Sequence, residues 1–367
     1  MGGGMPRENL LIILPFPEDK AITENIRKRF PYVDVKYHQL TQTNWSFEAE
    51  QGLPKGCFKP REEAESSLTQ QSWPDLFKDT TILATFGSFP STPEDAPNLN
   101  LIHLLSAGID HFVSHPLFTQ TNIPITTSSG IHGPTISEWI LMSTLVLSKS
   151  YKKMYELQKQ HKWGTPHKDF PQASDLVGKK VGIAGYGSIG RQFARVFTSL
   201  GCQIYAYTSS PRPTPSSRAD KGYHLPHLGD PDGTLPTAWY SGTTKSDLHT
   251  FLSQDLDILA ISLPLTPSTR GMFGKEEWDL LSHRQSHLIH ALKTAQLSGA
   301  ALDVTDPEPL PPASELWDME NVVLTPHMSA LTADYLERAL GGVLVENLRR
   351  RESGVWLVNL VDRKHGY

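Results

Sequence analysis

A chain of 367 residues is long for one hydrophobic core and comfortable for two, so a two-domain arrangement is expected. With 34 Lys plus Arg against 39 Asp plus Glu, the net charge is -5 and no stretch concentrates positive charge, which argues against a nucleic-acid partner. The longest apolar run, Trp139 to Leu147, is far short of a bilayer span and is interrupted by Ser143 and Thr144, which argues against a membrane protein.

The chain begins "MGGGMPREN", without an apolar signal core, and Pro6 stands where a myristoylation pattern needs Ser or Thr. With only Cys57 and Cys202, a reducing, cytoplasmic setting without a disulfide framework is expected. "NLLIILP" (Asn9 to Pro15) reads as a buried strand, and "DKAITENIRKRF" (Asp19 to Phe30) as a helix. Strand-then-glycine patterns recur near Ile82 and Ile102, an α/β rhythm with parallel strands. After "GIHGPT", Pro134 suits a first helical turn, and Ile136, Ile140 and Leu147 recur at helical spacing up to "SKSYKK". "KKVGIAGYGSIGRQFARVFTSLGCQIYAYTSS" then reads as strand, Gly-rich turn, helix and strand.

From Pro211 to Pro236, Pro213, Pro215, Pro226 and Pro231 also intervene among Ser, Thr and Gly, which predicts a surface insertion with little regular structure. Strand character returns at Leu256 to Pro264, Gly299 to Val304 and Asn321 to His327, and "TADYLERALGGVLVENLRRR" is helical. Between Gly274 and Val304, however, helix follows helix with no strand between them.

Gly185, Gly187 and Gly190 satisfy G-x-G-x-x-G between a strand and a helix, with Ser188 and Ile189 opening the helix. Glycine permits the tight turn, and the helix N-terminus offers unpaired N–H groups to a pyrophosphate. The following strand ends in Thr208, Ser209 and Ser210, with Arg212 beyond, where an NAD site carries an acid. Hydroxyls and an arginine can hold a 2′-phosphate that an acid would repel, so NADP(H) is favoured and NAD(H) stays open. Otherwise Arg212 only decorates an exposed loop.

"GYGSIG", "LPLTPSTRG" (Leu263 to Gly271), "GAALDVTDPEPLP" (Gly299 to Pro311) and "VVLTPHMSA" (Val322 to Ala330), in this order, resemble the D-isomer-specific 2-hydroxyacid dehydrogenases of glyoxylate/hydroxypyruvate reductase type. "LLSAGIDHF" (Leu104 to Phe112) resembles that family's substrate loop. The resemblance implies two doubly wound α/β domains, Rossmann-like and flavodoxin-like. A substrate domain of residues 1–131 plus 328–367 would flank a cofactor domain of residues 132–327. It also implies hydride transfer between NAD(P)H and a small 2-oxo or 2-hydroxy acid, and a homodimer built around the cofactor domain.

By the same resemblance His327 is the acid/base, with Glu308 pairing to favour its imidazolium. Asp303 matches a position near the nicotinamide, though an acid there also suits a cap after a strand. Leu263 and Pro264 line the cofactor, and Ala107 and Gly108 offer backbone N–H groups to the substrate carboxylate.

The family's third catalytic residue, an arginine in an N-x-[AG]-R-G strand, has no match. Between Ser282 and Leu288 too few residues remain for a strand with its turns, which needs on the order of a dozen. Arg284 lies there, but without a preceding strand or a following glycine it reads as a solvated loop residue. The missing strand belongs between "LDILAISL" and "GAALDV", unless "SHLIHAL" becomes extended and fills the place. Two readings follow: a reductase impaired by the lost arginine, and a non-catalytic, NAD(P)-binding regulatory or truncated homologue. The retained His327 and Glu308 favour the first.

Overall fold

The computed structural model describes residues 6–40, 73–166, 168–170, 173–266, 268–274, 276–277, 288–295 and 297–364. The chain divides into two compact units, Met1–Ile131 with Ala333–Tyr367, and His132–Thr332.

The first unit holds β1 (Glu8–Leu14), α1 (Lys20–Arg29), β2 (Val33–Gln39), β3 (Ile82–Thr85), β4 (Leu101–Leu104) and β5 (Ile125–Thr127). The strands form one parallel sheet in the order β2-β1-β3-β4-β5, the flavodoxin-like order. From Leu10 to Leu14 β1 is an unbroken apolar run, because a central parallel strand is covered on both faces. β2 instead alternates buried Val33 and Val35 with exposed Asp34 and Lys36, as an edge strand does. Asp19 caps α1, its carboxylate accepting from the Ala21 N–H at 2.9 Å, and Arg27, Lys28 and Arg29 close its last turn.

The C-terminal stretch completes this unit. It runs through a π-helical segment, Glu337–Leu344, into the helix Val345–Glu352. Arg351 pairs with Glu8 at 2.6 Å, the Tyr335 hydroxyl donates to the Leu105 carbonyl, and Leu360 bridges antiparallel to Thr126.

In the second unit α2 (Gly133–Ser148) starts with Pro134 in its first turn, as expected. The helix ends at Ser148, where "SKSYKK" begins, as the spacing predicts. Ser150 takes a left-handed φ of 54°, and α3 (Tyr151–Lys159) begins after it. The expected nucleotide unit follows as β6 (Lys180–Ala184), α4 (Ser188–Ser199) and β7 (Gln203–Thr208), continued by β8 (Ala238–Ser241), α5 (Lys245–Leu252) and β9 (Ile258–Ile261). These strands form a parallel sheet in the order β8-β7-β6-β9, so the order of strand addition reverses between β6 and β9. After α6 (Leu288–Lys293), β10 (Ala300–Leu302) pairs with β11 (Val322–Leu324) in a two-stranded parallel sheet, and among the described residues with no other strand.

Among the described residues no strand joins β9 to β10. The gap assigned to the lost strand, with Arg284 in it, lies outside those residues. The alternative that "SHLIHAL" becomes extended fails from Leu288 onward, where α6 buries Ala291 and packs Leu292 with Leu316 and Val322.

The insertion between β7 and β8 is more organised than its composition predicts. A capped single turn, Pro215–Arg218, stands in it, and Asp230 is buried at 4% exposure. No helix among the described residues is long and apolar enough to cross a membrane.

Candidate active site

In the second unit the Gly-rich turn leaves the carboxyl end of β6 beside the reversal point, where open α/β sheets bind ligands. Its three glycines do different things. Gly185 has φ 101°, and a Cβ there would meet the Ser262 carbonyl oxygen at 2.6 Å. A Cβ on Gly190 would come within 2.3 Å of the Gly185 carbonyl oxygen, so its absence allows the helix to close on the strand. A Cβ on Gly187 would meet nothing within 4 Å, so packing does not require glycine there and an approaching ligand would. Ser188 and Ile189 form the first turn of α4, whose N-cap, Gly187, supplies no side-chain acceptor and leaves donors for an anion. This geometry fits a dinucleotide pyrophosphate.

The Ser262 hydroxyl donates to the Gly185 carbonyl at 2.8 Å and ties the turn to the segment after β9, where Leu263 is half-buried and Pro264 exposed. At the end of β7 Thr208 is buried, its hydroxyl donating to the Ser210 carbonyl at 2.8 Å, while Ser209 and Ser210 are exposed. Arg212 is half-buried rather than a free surface decoration. Its Nη1 donates to the Ser217 carbonyl at 2.6 Å, and its own carbonyl accepts from Arg218 Nε at 2.9 Å.

β10 and β11 carry the acid/base candidates. His327 Nδ1 lies 2.8 Å from Glu308 Oε1, and His327 sits at a left-handed φ of 52° with its side chain 58% exposed. A β-branched residue would be strained in that backbone, whereas histidine tolerates it better. Asp303, at the end of β10, is used by the turn that presents His327. Its carboxylate accepts from the Thr325 hydroxyl at 2.6 Å, the Met328 N–H at 2.9 Å and both the N–H and hydroxyl of Ser329. The His327 N–H donates to the Asp303 carbonyl at 2.9 Å. Burial works against the charge of Asp303, yet these donors hold its carboxyl below the usual range. The capping task thus belongs to this residue whatever it contributes to a cofactor.

In the first unit Ala107 and Gly108 follow β4, both exposed, with the Ser106 hydroxyl donating to the Gly108 carbonyl at 2.8 Å. Among the described residues their N–H groups find no acceptor.

Sequence reading missed two clusters. Tyr186 and Asp230 meet at 2.7 Å across 44 positions, and nothing local links them. Glu277 is buried, with Lys245 Nζ at 2.7 Å and His249 Nε2 at 2.8 Å. Burial opposes the Glu277 charge, but Lys245, His249 and the Gly274 N–H hold its carboxyl down to about 2. Although His249, Glu276 and Glu277 bring metal-type donors together, the Lys245 ammonium already supplies the cation. The only forward signal was the Thr244–Asp247 capping box that starts α5.

A family model described as "D-isomer specific 2-hydroxyacid dehydrogenase, NAD binding domain" matches residues 141–230 and 230–329. The chain is 27% identical to glyoxylate/hydroxypyruvate reductase A of Arabidopsis thaliana over 292 residues, 76% of this chain and 83% of that protein. It is 27% identical to a glyoxylate reductase of Thermofilum pendens over 257 residues, 66% of this chain and 69% of that protein. In fold it is similar to a D-isomer specific 2-hydroxyacid dehydrogenase from Xanthobacter autotrophicus solved with NADPH. The TM-score is 0.69 at 22% identity, covering 98% of this chain and 100% of that one.

Proposed function

We propose, on the premise that this chain belongs to the D-isomer-specific 2-hydroxyacid dehydrogenase family, that it is an NADP(H)-preferring reductase of small 2-oxo acids such as glyoxylate and hydroxypyruvate. The observation that carries this reading is the Glu308–His327 pair at 2.8 Å, on a turn pinned by Asp303. Glu308 accepts from Nδ1, which fixes the ring and leaves Nε2 to give its proton to a carbonyl oxygen being reduced. In the reverse direction the neutral ring takes that proton back. A bound dinucleotide supplies or accepts the hydride. Gly185, Gly187, Ser188, Ile189 and Gly190 would hold its pyrophosphate, Leu263 and Pro264 would flank it, and Asp303 would lie near its nicotinamide. Thr208, Ser209, Ser210 and Arg212 would receive the 2′-phosphate. The N–H groups of Ala107 and Gly108 suit a carboxylate.

Turnover is impaired on this reading, because the chain has no N-x-[AG]-R-G arginine for that carboxylate. Loss of such a charge pair costs roughly 2 to 5 kcal/mol, about 30-fold to several thousandfold in rate. The absent arginine also supports the second reading, a dinucleotide-binding regulatory homologue. The paucity of cysteine supports a cytoplasmic setting, and a homodimer through α2 and α3 belongs to the same reading.

Steady-state oxidation of NADPH and NADH with glyoxylate and hydroxypyruvate tests the proposal. NADPH should be the better reductant, and His327→Asn should remove about 100-fold or more of the rate while leaving NADPH affinity within about twofold. Equal or better turnover with NADH rejects the cofactor preference. Tight dinucleotide binding with no turnover favours the regulatory reading.

A further inference from the structure

The insertion between β7 and β8 reaches back to the Gly-rich turn at one buried point. Tyr186, the residue between Gly185 and Gly187, is only 4% exposed and points its ring inward, edge-on to Trp239 at 5.0 Å. Its hydroxyl donates to Asp230 Oδ2 at 2.7 Å. Asp230 is itself held within the insertion, accepting from the Thr234 N–H at 2.9 Å and the Leu235 N–H at 3.1 Å. A second arm grips the first turns of α4. Arg191, 4% exposed, donates to the carbonyls of Asp230 and Arg218, with its guanidinium 5.2 Å over the Tyr186 ring. Gln192 Oε1 accepts from the Gly229 N–H at 2.6 Å. Both sides of the turn-to-helix joint are therefore fastened to residues 218–235, while a Cβ on Gly187 would meet nothing within 4 Å.

We propose that Asp230 is a positioning residue for the dinucleotide loop, acting through the Tyr186 hydroxyl to hold Gly185 to Gly190 in the shape that a pyrophosphate requires. This rests on reading that loop as the dinucleotide site. The chemistry is preorganisation. Glycines make the loop permissive, so an unfastened loop samples other shapes and loses affinity when it must be ordered on binding. Asp230 does not touch the ligand, and its effect should appear in dinucleotide affinity.

The decisive variant is Tyr186→Phe, which deletes one oxygen and keeps the ring packed on Trp239. Titration calorimetry with NADPH and the melting temperature of the ligand-free chain are measured together. The Kd should rise by about tenfold or more, as for loss of one hydrogen bond to a charged acceptor. Asp230→Asn should weaken binding at least as much, and the double variant should bind no worse than Asp230→Asn alone, because both changes break the same link. A Tyr186→Phe chain with lowered melting temperature and unchanged Kd would overturn the proposal, leaving the contact merely structural. A parent chain that binds neither NADPH nor NADH would overturn the dinucleotide reading, and this inference with it.

Discussion

His103 has no exposed surface in β4 of the first unit, where its Nδ1 meets the Thr126 hydroxyl at 3.0 Å and its Nε2 the Ser128 hydroxyl at 3.1 Å. Burial pushes its pKa down from 6.5 to about 4. The folded chain therefore keeps this ring neutral between those values while the unfolded chain protonates it. The contribution to stability is fully present above about pH 6.5 and is lost as pH falls toward about 4, a total loss of roughly 3 kcal/mol. The denaturation midpoint should fall across that window, and His103→Asn, although less stable throughout, should flatten the fall. Parallel pH profiles for parent and variant would refute the assignment. Nothing in "LIHLLSAG" marks His103 as buried, because its hydroxyl partners come from β5 and the residue after it. His327 and Glu308 were legible because two motifs fix their order, although their approach to 2.8 Å depends on the turn that Asp303 ties. Asp230 was not legible at all, being one acid in a Pro-rich stretch.

Elements with a strong period or a Gly signature were readable, namely β1, α1, and the β6-α4-β7 unit with its turn. β2, β5 and β8 escaped for separate reasons. β2 is an edge strand with exposed charges, β5 has three residues, and β8 follows a stretch rich in turn residues that masks "AWYS". Tertiary pairing with β1, β4 and β7 makes them strands, a context no short window contains. The sharpest element-scale prediction concerns the interval between β9 and β10. Inserting a strand with N-x-A-R-G between Gln285 and His287 should raise the melting temperature by about 5 °C and activity on the order of a hundredfold. The same insert with Gln in place of Arg should raise the melting temperature alone. If neither quantity rises, the account of a lost strand is wrong.

At the scale of the whole molecule, the doubly wound α/β class and the family were legible in full, because four ordered motifs cover the larger unit and "LLSAGIDHF" marks the smaller. How the C-terminal stretch completes the first unit was legible only as a helix. Its anchoring through Arg351–Glu8 and the Leu360 bridge joins chain positions some 340 and 230 residues apart, which pattern reading does not reach. The proposed homodimer would cover exposed apolar side chains on α2 and α3, namely Met142, Leu145, Tyr151, Met154 and Tyr155. Light scattering should report a dimer, and Met142→Glu with Leu145→Glu should shift it to monomer. A parent chain already monomeric at micromolar concentration would exclude this dimer.

The separation of the β10-β11 pair from the larger sheet also has a thermal consequence. His327, the proposed acid/base, follows the last strand of a small raft whose backbone ladder, among the described residues, holds to no other strand. Local opening there costs less than global melting. On warming, the chemistry should fall silent while circular dichroism still reads native and the glycine cradle still grips its nucleotide.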